Sequence, residues 1–193
     1  MRHKYGTHGI VLSRTFSGEA NTFVTCITSD LGLVRARAQG VRRSGAKLAA
    51  ALATFTESEL VFIRGKESWR IGGAVLERNW FLHLRDASTR ARAARVASLL
   101  ERLVVGEMHD PTLFPIMKGF FESLVELPAD MHEAAEILVV LRILFALGLD
   151  ARIPIESPVD EVFTFTRPVL AEIQKERTRY IVRINNGIAA SGL

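Results

Sequence analysis

The hydrophobic period of this chain changes once, near Trp80, and that change limits what it can fold into. Before Trp80, apolar and β-branched residues come in short runs bounded by turn signals. Residues 7–16 and 20–29 are β-rich and flank Ser17-Gly18-Glu19. A third run, 31–39, alternates. Arg35, Arg37 and Gln39 point one way in a strand, and Val34, Ala36 and Ala38 the other. Residues 46–53 are alanine-rich, with Ser44 available as a cap, and predict a short helix. Residues 57–64 and 68–76 form two more strands around Gly65-Lys66, a hairpin signal. Gly72-Gly73, inside the last strand, reads as a bulge. Five short strands with a helix between the third and fourth is the order of an OB-fold barrel.

After Trp80 the pattern turns helical. Val96, Leu99, Leu100, Leu103 and Val104 form one stripe that ends at Gly106. Asp110-Pro111 reads as a cap followed by proline at the first helical position. The helix it opens has Leu113, Phe114, Met117, Phe121 and Leu124 inward. A third helix runs from Asp130 to Gly148. Its stretch 136–149 is apolar on nearly every side, which marks the centre of a bundle. Pro154, Pro158 and Pro168 punctuate a connector. A last helix, continuous or broken midway, covers about 170–190 with Ile173, Tyr180, Ile181, Ile184 and Ile188 inward. The predicted class is α+β: a five-stranded OB-fold β-barrel over residues 1–80, then an all-α helical domain over 81–193.

Charge divides along the same line. Residues 1–80 hold 12 Lys/Arg against 6 Asp/Glu, a net of +6, and residues 81–193 hold 13 against 15, a net of −2. A nucleic acid suits so basic a half better than a small acidic metabolite does. Residues 31–48 carry Arg35, Arg37, Arg42, Arg43 and Lys47 with no acidic residue. The loop between the fourth and fifth strands adds Arg64 and Lys66, followed by Trp69 and Arg70. OB-folds hold oligonucleotides on their second and third strands and their fourth-to-fifth loop, so these cations fall where such a barrel would use them. Two readings of the basic stretch stand side by side: a rail for a phosphate backbone, or a solvated face. Trp69 and Phe16 carry a similar pair of readings, stacking on bases or filling the barrel.

Other chemistry finds little support. The five histidines (His3, His8, His83, His109, His132) are scattered, and none pairs with another ligand type at metal spacing. No glycine-rich phosphate cradle appears, and the acidic residues of the first half are unclustered. No metal, no cofactor and no catalysis are expected. The alternatives are an RNA-binding OB protein and a nuclease built on an OB barrel. The one cysteine, Cys26, excludes an intramolecular disulfide and lies in a β-branched run as a small buried residue. The start of the chain lacks the apolar core of a signal peptide. The apolar window 137–149 is too short to span a bilayer and contains Arg142. The expectation is a cytoplasmic, nucleoid-associated protein without membrane contact.

Residues 17–48 closely resemble the N-terminal domain of the RecO family of bacterial recombination mediators. The shared pattern is the Gly18-Glu19 turn, the strand after it, Leu31-Gly32, the basic strand, and the run from Gly40 through Arg42, Ser44 and Gly45 to Lys47-Leu48. Residues 51–60 resemble the family's Leu-x-Pro-Phe strand, with Thr54 where proline is usual, and 144–149 resemble the end of a family helix. The resemblance is strong over 7–80 and weaker beyond. It implies an OB-fold followed by a helical domain and a non-enzymatic mediator of DNA repair and recombination. Such a mediator binds single- and double-stranded DNA, anneals strands and works with RecR. It helps load RecA onto DNA coated by single-stranded-DNA-binding protein. Carried over by position, it puts DNA contact on Arg35, Arg37, Arg42, Arg43 and Lys47. Many members also carry a cysteine-ligated zinc module, and this chain has no cysteine beyond Cys26.

The nearly neutral second half is the expected protein-contact domain. The resemblance implies that the acidic tail of single-stranded-DNA-binding protein docks there. Such a tail needs an apolar pocket rimmed by a cation. Arg90, Arg92, Arg95, Arg102 and Arg142 are the candidates, and the sequence does not choose among them.

Overall fold

In a computed structural model, residues 3–17, 21–39, 47–66, 68–104, 106, 110–151 and 163–192 are described. The chain divides into two compact units. One comprises Met1–His83 with Val104–Phe114, and the other Leu84–Leu103 with Pro115–Leu193.

The first unit is a closed five-stranded barrel with the strand order β1-β2-β3-β5-β4, the OB-fold expected from the sequence. Its strands are β1 (Lys4–Ser17), β2 (Asn21–Thr28), β3 (Gly32–Gln39), β4 (Thr56–Arg64) and β5 (Trp69–Asn79). Helix α1 (Lys47–Ala51) lies between β3 and β4, and α2 (Trp80–His83) follows β5. β1 is longer than its apolar run because it serves two partners. Its first half pairs with β4, its second half with β2, and the register shifts between Val11 and Ser13 where the strand turns from one to the other. β5 outruns its predicted end and carries the expected bulge. Val61 faces Gly73 and Phe62 faces Ile71, so Gly72 is the extra residue. A Cβ there would lie 2.8 Å from Ile63 Cδ1, and glycine avoids that contact. Alternation fills the interior with Val11, Val24, Cys26, Val34, Ala36, Ala38, Leu52, Leu60 and Phe62. Phe55 enters β4 with φ at 63°, uncommon for an aromatic residue. Its N–H donates to the Val11 carbonyl at 2.8 Å and its carbonyl accepts from Trp80 N–H at 2.9 Å, which holds that conformation.

The helical unit is built on α3 (Ala87–Leu103), α4 (Leu113–Glu126), a 3-10 turn (Ala129–Met131), α5 (His132–Ala146), α6 (Arg167–Lys175) and α7 (Arg177–Ala190). α5 packs against α3, α6 and α7, with Leu138, Val139, Leu141, Ile143 and Leu144 buried around it. Gly148, at φ 70°, turns the chain so that Leu149 N–H reaches back to the Leu144 carbonyl at 2.8 Å. α4 starts at Leu113 and not at Pro111. Asp110 instead accepts from the N–H and hydroxyl of Thr112 and closes a turn. Pro168, read as part of the connector, sits in the first turn of α6. The last helical stretch is broken at Glu176.

Candidate nucleic-acid interface

Strand β3 has the two faces its alternation predicts. Val34, Ala36 and Ala38 are buried, while Arg35 and Gln39 are exposed and Arg37 is half-exposed. Register carries the outer face around the barrel. Thr15 faces Phe23, Phe23 faces Arg37, Arg37 faces Arg70, Arg70 faces Ile63, and Ile63 faces Lys4. The row starts on β1 and returns to β1 well down the strand, the stagger that tilted strands need to close. It sets Arg37, Arg70 and Lys4 along one belt. Arg35, facing Thr25, is two residues before Arg37 on the same side of β3. Its guanidinium lies over the Phe23 ring, 5.2 Å from the centroid.

The belt crosses the later half of β3 and the start of β5 and reaches the end of β4 and the start of β1. Arg64 and the exposed Lys66 flank the β4–β5 turn there, which Gly65 N–H closes onto the Ser68 carbonyl at 3.0 Å. Arg64 sits 4.5 Å over Trp69, and Trp69 meets Tyr5 and Phe62 edge-on. Among the described residues of the barrel, the acidic side chains lie off this belt: Asp30 in the β2–β3 turn, Glu57 and Glu59 on β4, and Glu77 late on β5. Asp30 accepts hydrogen bonds from Thr7 and Ser29, each at 2.6 Å, and Glu77 lies 3.1 Å from His8 Nδ1. Arg78, facing Glu57 across β4 and β5, lies 4.6 Å over Trp80. The cations of β3, the start of β5, the β4–β5 turn and the start of β1 thus make one basic face that can hold an extended polyanion.

The structure brings together Arg35, Arg37, Arg64, Lys66 and Arg70 of the predicted set. Arg42 and Arg43 lie outside the described residues, as does the side chain of Lys47, the first residue of α1. The sequence reading missed Lys4, which joins the belt only because β1 begins earlier than its apolar run. It also missed Arg14, whose guanidinium lies 5.7 Å from the centroid of the exposed Phe16. Among the described residues, no three His, Cys, Asp or Glu side chains come together as metal ligands do, and no helix is long and apolar enough to cross a membrane.

The five arginines of the helical unit separate by environment. Arg92 Nη1 donates to Glu136 at 2.5 Å, and Arg95 holds the same carboxylate with two hydrogen bonds at 2.7 and 2.9 Å. That pairing raises the pKa of Arg95, while Arg177 holds Glu133 below the usual carboxylate range. Arg92, Arg95, Glu133 and Glu136 edge a groove of about 450 Å³ floored by Ile137, Val140, Ile181 and Ile184. Arg90 donates to the Leu84 carbonyl at 3.0 Å, and Arg102 is exposed in the last turn of α3. Arg142 is buried. It donates to the Thr164 carbonyl at 2.8 Å and lies 4.8 Å over Phe165, and burial pushes its pKa down to about 10.

Residues 1–77 match the family described as recombination protein O N terminal. The chain is 30% identical to DNA repair protein RecO of Dehalococcoides mccartyi over 123 residues, 63% of this chain and 48% of that protein. It is 33% identical to DNA repair protein RecO of Roseiflexus over 122 residues, 62% and 42% of the two chains. With the Heliobacterium modesticaldum protein of the same name it shares 28% identity over 144 residues, 75% of this chain and 51% of that one. The chain spans about half the length of these curated relatives. The family resemblance read from residues 17–48 and 51–60 is borne out.

Proposed function

We propose, from this kinship with RecO, that the chain is a DNA-binding protein of recombinational repair and that the basic face of its barrel holds the phosphate backbone. The observation that carries the reading is the belt formed by Arg37, Arg70 and Lys4 with Arg35 beside it, with no acidic residue among the described residues of that row. Guanidinium and ammonium groups there replace condensed counterions, so binding is largely independent of sequence and applies to single- and double-stranded DNA. Holding two strands by their backbones leaves their bases able to pair, which is what strand annealing requires. The protein acts without a chemical step of its own.

The helical unit takes the protein partners. Its groove combines an aliphatic floor with Arg92 and Arg95 at the edge, a fit for the acidic tail of a single-stranded-DNA-binding protein. Contact with a RecR-like protein, and through it loading of RecA, completes the proposed role.

Salt titration of the full chain on an unrelated pair of oligonucleotides tests the first part. Four to six neutralised phosphates on a single strand give a slope of log affinity on log salt of roughly −3 to −4, equal for both sequences. A flat response removes the phosphate assignment. For the second part, a labelled tail peptide should lose affinity on Arg92→Ala or Arg95→Ala and keep it on Arg35→Ala. The opposite pattern rejects the groove.

A further inference from the structure

The aromatic residues beside the basic face of the barrel are not equivalent. Trp69 is half-buried, packs edge-on against Tyr5 and Phe62, and has Arg64 over its ring. Phe23 is half-buried under Arg35. Phe16 differs from both: it is 56% exposed, near the end of β1, with Arg14 against its ring. Its position in the register is informative. Thr15 belongs to the outer row that leads through Phe23 to Arg37 and Arg70, and Phe16 is the next residue, facing Thr22 on the opposite side of the sheet. Thr22 is almost fully buried and faces Ala38, which lines the barrel interior. Phe16 thus stands at the lip of the barrel, where the outer cationic face turns over into the mouth.

We propose that Phe16, backed by Arg14, is a base-stacking platform that lets this barrel distinguish unpaired from paired DNA. The inference rests on the reading of the basic face as a phosphate surface. Two strand spacings separate Phe16 from Arg37, on the order of 10 Å, or about three nucleotides at the stacked rise of ~3.4 Å. A strand whose phosphates follow the outer belt can therefore turn one base over the lip onto Phe16. An unpaired base presents its π-face for this, whereas a base inside a duplex is already stacked and would first have to leave the helix. Arg14 contributes twice. It stiffens the ring by a cation–π contact, and its guanidinium lies within reach of the phosphate beside the stacked base.

The test uses the full chain, an oligonucleotide containing one 2-aminopurine, and the same sequence as a duplex. Binding of the single strand should quench the 2-aminopurine as it stacks. Phe16→Leu should weaken single-strand binding by roughly five- to a hundredfold, abolish the quench, and leave duplex affinity within about twofold. The salt slope should not change, because a stacked ring displaces no counterion. Phe16→Trp should restore both affinity and quench. Equal losses on single strand and duplex, or an unchanged quench in Phe16→Leu, overturn the proposal while leaving the phosphate belt standing. If the wild-type chain binds neither form, the belt itself is wrong and the stacking platform falls with it.

Discussion

Arg37 and Arg70 are register partners across the parallel pairing of β3 with β5. Both lie on the outer face, and among the described residues neither meets a carboxylate in an ion pair. Like charges directly opposed across two strands cost on the order of 0.2–1 kcal/mol. The arrangement is unfavourable for the barrel alone and favourable once a phosphate lies between the two guanidinium groups. Arg37→Gln and Arg70→Gln should therefore leave stability unchanged or raise it slightly in urea denaturation. Each should flatten the salt slope for single-stranded DNA by about 0.7. A variant that loses stability and keeps its slope would assign the pair to the barrel's own structure.

The two arginines also mark how far the sequence could be read. The faces of β3 were legible because period 2 is local: Val34, Ala36 and Ala38 alternate with Arg35 and Arg37 within one strand. That Arg70 and Lys4 continue the row was not. Register between strands so distant in sequence is set by closure of the barrel and by the bulges at Val11/Ser13 and Gly72. Asp110-Pro111 misled for a related reason. The same side chain that can cap a helix can close a turn, and the bond to Thr112 decides between them. Among the helical arginines, pattern alone could not separate Arg92 and Arg95 from Arg142. The first two are set by Glu136, some forty residues away, and the third by burial against Phe165.

Arg142 leads to a pH prediction. Burial lowers its pKa from the ordinary arginine range to about 10 in the folded protein. Below about pH 10 both folded and unfolded chains carry the proton, and folding bears the full cost of a desolvated cation. Above about pH 10 the unfolded chain binds more protons than the folded one, so stability rises with pH from there until the unfolded arginine also titrates. Arg142→Met keeps the volume and removes the charge. In urea denaturation, the wild type should gain on this variant by about 1 kcal/mol between pH 9 and 11. A difference that is flat across that range would mean the guanidinium is better solvated than its position beside Phe165 indicates.

Leu144 and Gly187 hold α5 and α7 together, and their coupling can be measured. Leu144 is fully buried, and a Cβ placed on Gly187 would lie 2.9 Å from its Cδ1. Gly187→Ala gains about 1 kcal/mol of helix propensity but overpacks this contact at a cost of about 1–3 kcal/mol. The expected net effect is a loss near 1 kcal/mol. Leu144→Ala opens a cavity and should cost about 2–5 kcal/mol. In the double variant the added methyl has room and fills part of that cavity, so the two losses should not add. The double variant should be more stable than the sum of the single changes by at least about 0.5 kcal/mol, within the range seen for residues in contact. Additive losses in equilibrium denaturation would mean that α7 does not approach α5 this closely. The groove floored by Ile137, Val140, Ile181 and Ile184 of these two helices would then lose its shape as well.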